Sequence, residues 1–126
     1  MDVSYESRAG GSVVAMVKGD VDLNTSPVLR RGLLARLDGV PAGSALVLGL
    51  AGVTYMDSSG VAVLIETLQR SRHRGARLAL AAASPAVRMV IELARLERIF
   101  PIVDDVEAAL GGGTAAEGRA GDGRTS

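Results

Sequence analysis

"TYMDSSGVAV", residues 54–63, stands between two different periodicities. Before it, "ALVLGL" at 45–50 is a continuous apolar run of strand length, the pattern of a strand buried on both faces. After it, Val61, Leu64, Ile65 and Leu68 recur at i, i+3, i+4 and i+7, the apolar face of a helix. Gly52 reads as the residue that turns the chain after the strand. The stretch is a strand-to-helix junction, and it sets the class as α/β. In open α/β sheets function collects outside the carboxyl ends of the strands. An aspartate, two serines and a glycine at such an end therefore form the first candidate site.

The same alternation extends in both directions. "VVAMV", Val13 to Val17, reads as a second buried strand. Val3 and Tyr5 suit an edge strand beside it, with Gly10-Gly11 as the turn. "GDVDLNTSP", 19–27, reads as a loop. In it Asn24, Thr25 and Ser26 are all good N-caps, and Pro27 suits a first helical turn. Leu29, Leu33 and Leu37 then repeat at i, i+4 and i+8, with Arg30, Arg31 and Arg36 off the stripe, which is an amphipathic helix. "GVPAG", 39–43, ends it.

On the other side, the junction helix closes with Arg70, Arg72, His73 and Arg74 in its last turn and Gly75 at C′. "RLALAAA", 77–83, is rich in Ala, a helix former, but its length and flanks favour a strand. Ser84-Pro85 is an N-cap with Pro at N1, followed by an apolar face of Val87, Val90, Ile91 and Ala94. Ile99–Val103 reads as a last strand and Asp104–Leu110 as a last helix. The order β-β-α-β-α-β-α-β-α predicts one domain over 1–110, a mixed but mostly parallel sheet of about five strands with about four helices. Residues 111–126 are Gly-rich with almost no apolar side chains, so this tail is expected to be disordered and dispensable.

Composition removes whole classes of function. The 14 basic residues balance 14 acidic ones, without the basic excess of a nucleic-acid binder. Tyr5, Tyr55 and Phe100 are the only aromatics, too few for a base-stacking platform. The sequence has no cysteine and one histidine, so neither a thiolate nor a histidine-rich metal site is expected. The first residues lack the basic and apolar regions of a signal peptide, and no apolar run approaches the ~20 residues of a membrane span. A cytoplasmic protein without cofactor is the expectation.

Four chemistries suit the junction in principle. A serine hydrolase needs a base, and the only histidine, His73, lies near the far end of the same helix, about 20 Å away at ~1.5 Å per residue. A phosphate-binding P-loop needs several glycines and a Lys, and the junction has one glycine and no Lys. Asp20, Asp22 and Asp57 would hold Mg²⁺ only if they converged; otherwise they complement helix N-termini. Asp57, Ser58 or Ser59 each suffices as an N-cap. A cap needs one such residue, whereas three precede Gly60, whose missing side chain also lets another molecule approach the backbone. The surplus suits a site touched by another protein.

"GDVDLNTSPVLRRGL", "VLGLAGVTYMDSSGVAVLIE" and "AASPAVRMVIELARL" resemble, in order, three motifs of the STAS domain, in particular of bacterial anti-sigma factor antagonists. The resemblance runs from about Val3 to Leu110. It implies that Ser58 is phosphorylated by the partner itself, an anti-sigma factor with a GHKL-type ATPase fold, and that a serine phosphatase reverses this. It implies a partner surface of Asp22, Asn24 and Thr25 in the first loop and Met56, Asp57, Ser59, Gly60 and Val61 around Ser58. The loop reading leaves Asp22 an alternative, bonding its own backbone, and Asn24 and Thr25 another, as caps. The resemblance also implies a non-enzymatic protein, here expected to be a monomer. STAS modules of another kind dock permanently in transport or scaffold complexes. One departure stands out: where the family often has Gly before a Leu at the end of the third helix, this chain has Arg95 before Leu96.

Overall fold

The computed structural model describes residues 1–111. Its elements in chain order are β1 (Asp2–Ser7), β2 (Val13–Val21), α1 (Ser26–Leu37), β3 (Ala45–Met56), α2 (Ser58–His73), β4 (Arg77–Ala81), α3 (Pro85–Leu93), β5 (Ile102–Val103) and α4 (Val106–Gly111). The five strands form one sheet in the order β1-β2-β3-β4-β5. β1 runs antiparallel to β2, and all other pairs are parallel. The five-stranded mixed sheet and four helices match the sequence expectation. The expected disordered tail lies outside the described residues, apart from Gly111, which ends α4.

Helices cover both faces of the sheet. On one face, Leu29, Leu33 and Leu37 of α1, Leu64 and Leu68 of α2, and Val87 and Ile91 of α3 pack on Ala15, Val17, Leu46, Leu48 and Leu80. On the other, α4 places Ala109 over Val14, Val47, Ala79 and Ala81. This two-sided burial explains why "ALVLGL" shows no polar alternation. Truncating a fully buried residue such as Leu48 to Ala costs about 2–5 kcal/mol.

Three boundaries differ most from the sequence reading, while β4 stops at Ala81 rather than residue 83 and α4 starts at Val106 rather than Asp104. β2 continues through Val21, so residues 19–21 are strand rather than loop. Its lengthening follows from Val21, which is fully buried. β3 likewise runs on to Met56, and Gly52 does not turn the chain. Gly52 lies inside the strand, paired with Lys18, and the Lys18 side chain occupies the space a Cβ would need, which would sit 2.8 Å from Lys18 Cγ. Two irregularities in the β2–β3 ladder absorb the extra length, one between Gly19 and Asp20, where Thr54 is passed over. Finally, the last strand is only Ile102–Val103, because Pro101 has no N–H to give the ladder.

The lengthened β2 and β3 rise past β4, which ends with Ala81 opposite Gly49. The junction therefore sits at the tip of a two-stranded extension. At the end of α3, Arg95 takes the left-handed conformation at φ 60°. The N–H of Leu96 donates to the carbonyl of Ile91 and that of Arg95 to Glu92, closing the helix as a glycine would.

Candidate functional site

Val21 at the end of β2 and Met56 at the end of β3 are register partners. The two loops that follow them are thus neighbours by construction. A hydrogen bond from the Asp57 N–H to the Val21 carbonyl, 3.2 Å, fixes them together. Asp22 begins one loop and Ser58 lies one residue into the other.

The 22–25 loop is held by Asp22. Its Oδ1 accepts from the backbone N–H groups of Asn24 at 2.9 Å and Thr25 at 3.1 Å. The Asp22 N–H in turn donates to Thr25 Oγ1, which itself donates to the Asp20 carbonyl. These bonds, above all the one from the Thr25 N–H, hold the Asp22 carboxyl below its ordinary pKa. The reading of Asp22 as a residue that bonds its own loop is therefore the observed one. It remains half-exposed. Asn24, Thr25 and Ser26 cap nothing with their side chains: Thr25 holds the N-cap position of α1 without a side-chain bond to the helix. Its hydroxyl is already committed within the loop.

At the junction the cap is Asp57. Its Oδ1 accepts from the Ser59 N–H at 2.8 Å. The Ser58 hydroxyl makes no hydrogen bond among the described residues, and the residue is exposed as the first of α2. Gly60 is buried under the first turn. A Cβ on it would lie 2.7 Å from Met56 Cγ and 2.9 Å from Val21 Cγ1. The space freed by its missing side chain is thus used inside the protein rather than by an approaching molecule. Met56 and Val61 are buried as well. Of the expected partner surface, Asn24 and Ser58 are exposed, and Asp22, Thr25, Asp57 and Ser59 are half-exposed. Met56, Gly60 and Val61 lie beneath and position the rest.

The acidic residues do not converge. Asp20 accepts from Thr54 Oγ1 at 2.6 Å, Asp22 holds its loop, and Asp57 caps α2. Among the described residues no group of three His, Cys, Asp or Glu is placed to hold a metal ion. His73 is the last residue of α2, so it faces the opposite end of the domain from Ser58.

One feature beside the site was missed in the sequence. Tyr55, Met56, Ala86, Met89, Val90 and Leu93 line an apolar groove of about 320 Å³. Tyr55, Met89 and Leu93 are exposed at 50%, 62% and 77%. The signal was present: Ala86, Met89, Val90 and Leu93 fall at i, i+3, i+4 and i+7, a second apolar stripe on α3. Tyr55 and Met56, which end β3 just before Asp57 and Ser58, bring the groove to the same end of the sheet as the junction.

Comparison with known proteins places the fold and the family of this chain. A Mycobacterium tuberculosis protein described as an anti-anti-sigma factor is 31% identical over 111 residues, 88% of this chain and 75% of that one. The anti-sigma-B factor antagonist of Listeria monocytogenes is 29% identical over 117 residues, 91% of this chain and all of that one. The crystal structure of an anti-sigma factor antagonist from Mycobacterium paratuberculosis superposes with a TM-score of 0.72 at 29% identity, covering 86% of this chain and 90% of that one. Residues 6–109 match the STAS domain, and the chain belongs to that family.

Proposed function

We propose that this protein is an anti-sigma factor antagonist whose hold on its partner is released by phosphorylation of Ser58. The observation that carries the reading is the division of labour at α2: Asp57 caps the helix, which leaves the Ser58 hydroxyl exposed and without a partner among the described residues. The names of the relatives support the class of partner, an anti-sigma factor. That partner is a GHKL-type serine kinase, and a serine phosphatase restores the free hydroxyl. The setting is the cytoplasm and the working unit a monomer; among the described residues no helix is long and apolar enough to cross a membrane.

A phosphate adds about −1.5 to −2 charges. At a helix N-terminus that charge is tolerated, so the fold persists. The change is felt across the interface, where Asp22 and Asp57 already make the surface acidic. A loss of ~3 kcal/mol in binding lowers partner affinity more than a hundredfold. The unmodified form then binds the anti-sigma factor and frees the sigma factor. The groove of Tyr55, Met89 and Leu93 supplies apolar contact to the same partner, since its Tyr55 and Met56 end the strand that leads into Ser58. The sequence's one histidine, His73, lies at the far end of α2 from Ser58, so serine-centred catalysis is not part of the proposal.

The test is a pull-down from lysate with wild-type, Ser58→Ala and Ser58→Asp baits. Capture of an ATPase-fold kinase by the first two and not by the third is the expected result. Equal capture of transport or scaffold proteins by all three would replace the switch with a permanent docking role.

A further inference from the structure

We infer that a notch at the outer edge of β4, at the opposite end of the domain from Ser58, binds a small α-hydroxy acid with an apolar body. The notch holds about 230 Å³ and is lined by Leu68, Ser71, Arg72, Arg77, Leu78 and Pro101, among others.

Its cause is the interrupted ladder. The Arg77 N–H donates to the Ser44 carbonyl on the β3 side, and the Leu80 N–H donates to the Pro101 carbonyl on the β5 side. Backbone groups alternate sides along a strand, so the N–H and C=O of Leu78 point outward with those of Leu80. β5 pairs only with Leu80 and Ala81. The residue whose N–H would reach the Leu78 carbonyl is Pro101, which has none. No acceptor for the Leu78 N–H is found among the described residues. Leu78 is nevertheless 3% exposed. A buried backbone pair without partners is rare and costly, and here it opens into a cavity.

The surroundings define what would fill it. Arg72 and Arg77 are exposed, and their guanidinium groups make no hydrogen bond or ion pair among the described residues. No carboxylate lines the notch. A ligand carboxylate accepts from the Leu78 N–H and from these guanidinium groups. A donor beside it satisfies the Leu78 carbonyl. Two nearby cations disfavour an ammonium there, which selects a hydroxyl over an amine. Leu68 and Pro101 receive the apolar body.

The test is a titration of the full chain with 2-hydroxy-4-methylpentanoate, followed by amide and arginine side-chain NMR shifts. A saturable shift of the Leu78 amide in the millimolar range is expected. The double variant Arg72→Gln, Arg77→Gln should weaken it about tenfold or more while its remaining spectrum stays folded. 4-Methylpentanoate, lacking the hydroxyl, should bind several-fold more weakly. An unmoved Leu78 amide, or a double variant that binds equally well, overturns the site. Tighter binding of leucine than of the hydroxy acid overturns the ligand class. Neither result bears on the Ser58 reading, because Ser58 begins α2 and Arg72 lies in its last turn.

Discussion

The Asp57 N–H donates to the carbonyl of Val21. With this bond, the ends of β2 and β3 present Asp22 and Ser58 as one surface. Neither residue is near the other in sequence. The bond depends on β2 reaching Val21 and β3 reaching Met56, where the strands are still in register.

Capping and signalling should separate by mutation. Ser58→Ala removes a hydroxyl with no partner among the described residues and should leave the free energy of urea unfolding within about 0.5 kcal/mol of wild type. Asp57→Ala removes the cap and should cost about 1 kcal/mol. Equal losses in the two variants would mean that Ser58 shares the capping role.

Gly60→Ala sets helix propensity against packing. Propensity alone would add about 1 kcal/mol. The new methyl, however, meets Met56 and Val21 inside the core, and overpacking of this kind costs about 1–3 kcal/mol. We expect the variant to be less stable by denaturant unfolding. A rise in stability would show that the first turn of α2 yields readily.

Arg95→Gly should stabilise the protein by about 1 kcal/mol, seen as a higher Tm. At φ 60° an L side chain is strained and glycine is not. The greater freedom of glycine in the unfolded chain offsets part of the gain. An unchanged or lower Tm would indicate that the Arg95 side chain makes compensating contacts.

Asp22 predicts an acid-side effect with a definite sign. Its folded pKa lies below the ordinary 3.8, chiefly through the backbone hydrogen bond from Thr25. The associated stability is therefore present above the unfolded value and is lost as pH falls through the folded one. Stability measured between about pH 5 and pH 2 should fall less steeply in Asp22→Asn than in wild type. A carboxyl titration of Asp22 by NMR at or above 3.8 would contradict the bonding pattern of the loop.

Met89→Glu probes the groove. The side chain is 62% exposed, so the change should leave stability nearly unaltered. It should weaken binding of the anti-sigma factor at least tenfold, or about 1.4 kcal/mol, by placing a charge in the apolar contact. Unchanged affinity would confine the interface to the loops around Ser58.

The sequence by itself determined the order of elements, the α/β class and the location of the candidate site. Each of these rests on periodicity, on caps such as Ser84, or on breakers such as Pro85, which act within a few residues. It did not determine where β2 and β3 end. Gly19 and Gly52 carry loop signals locally, and only their pairing across the ladder, with Val21, Val53 and Met56 buried, makes them strand. The role of Gly60 also needed the tertiary structure, because a glycine that admits a partner and one that admits Met56 look alike in sequence. The choice of cap followed the same rule. Asp57, Ser58 and Ser59 are equivalent by type, and the backbone angle at the tip of β3 turned the Asp57 carboxylate onto the helix and the Ser58 hydroxyl to solvent. Local signals are decided by neighbours in the chain, whereas the surface a residue faces is decided by elements packed from far along it.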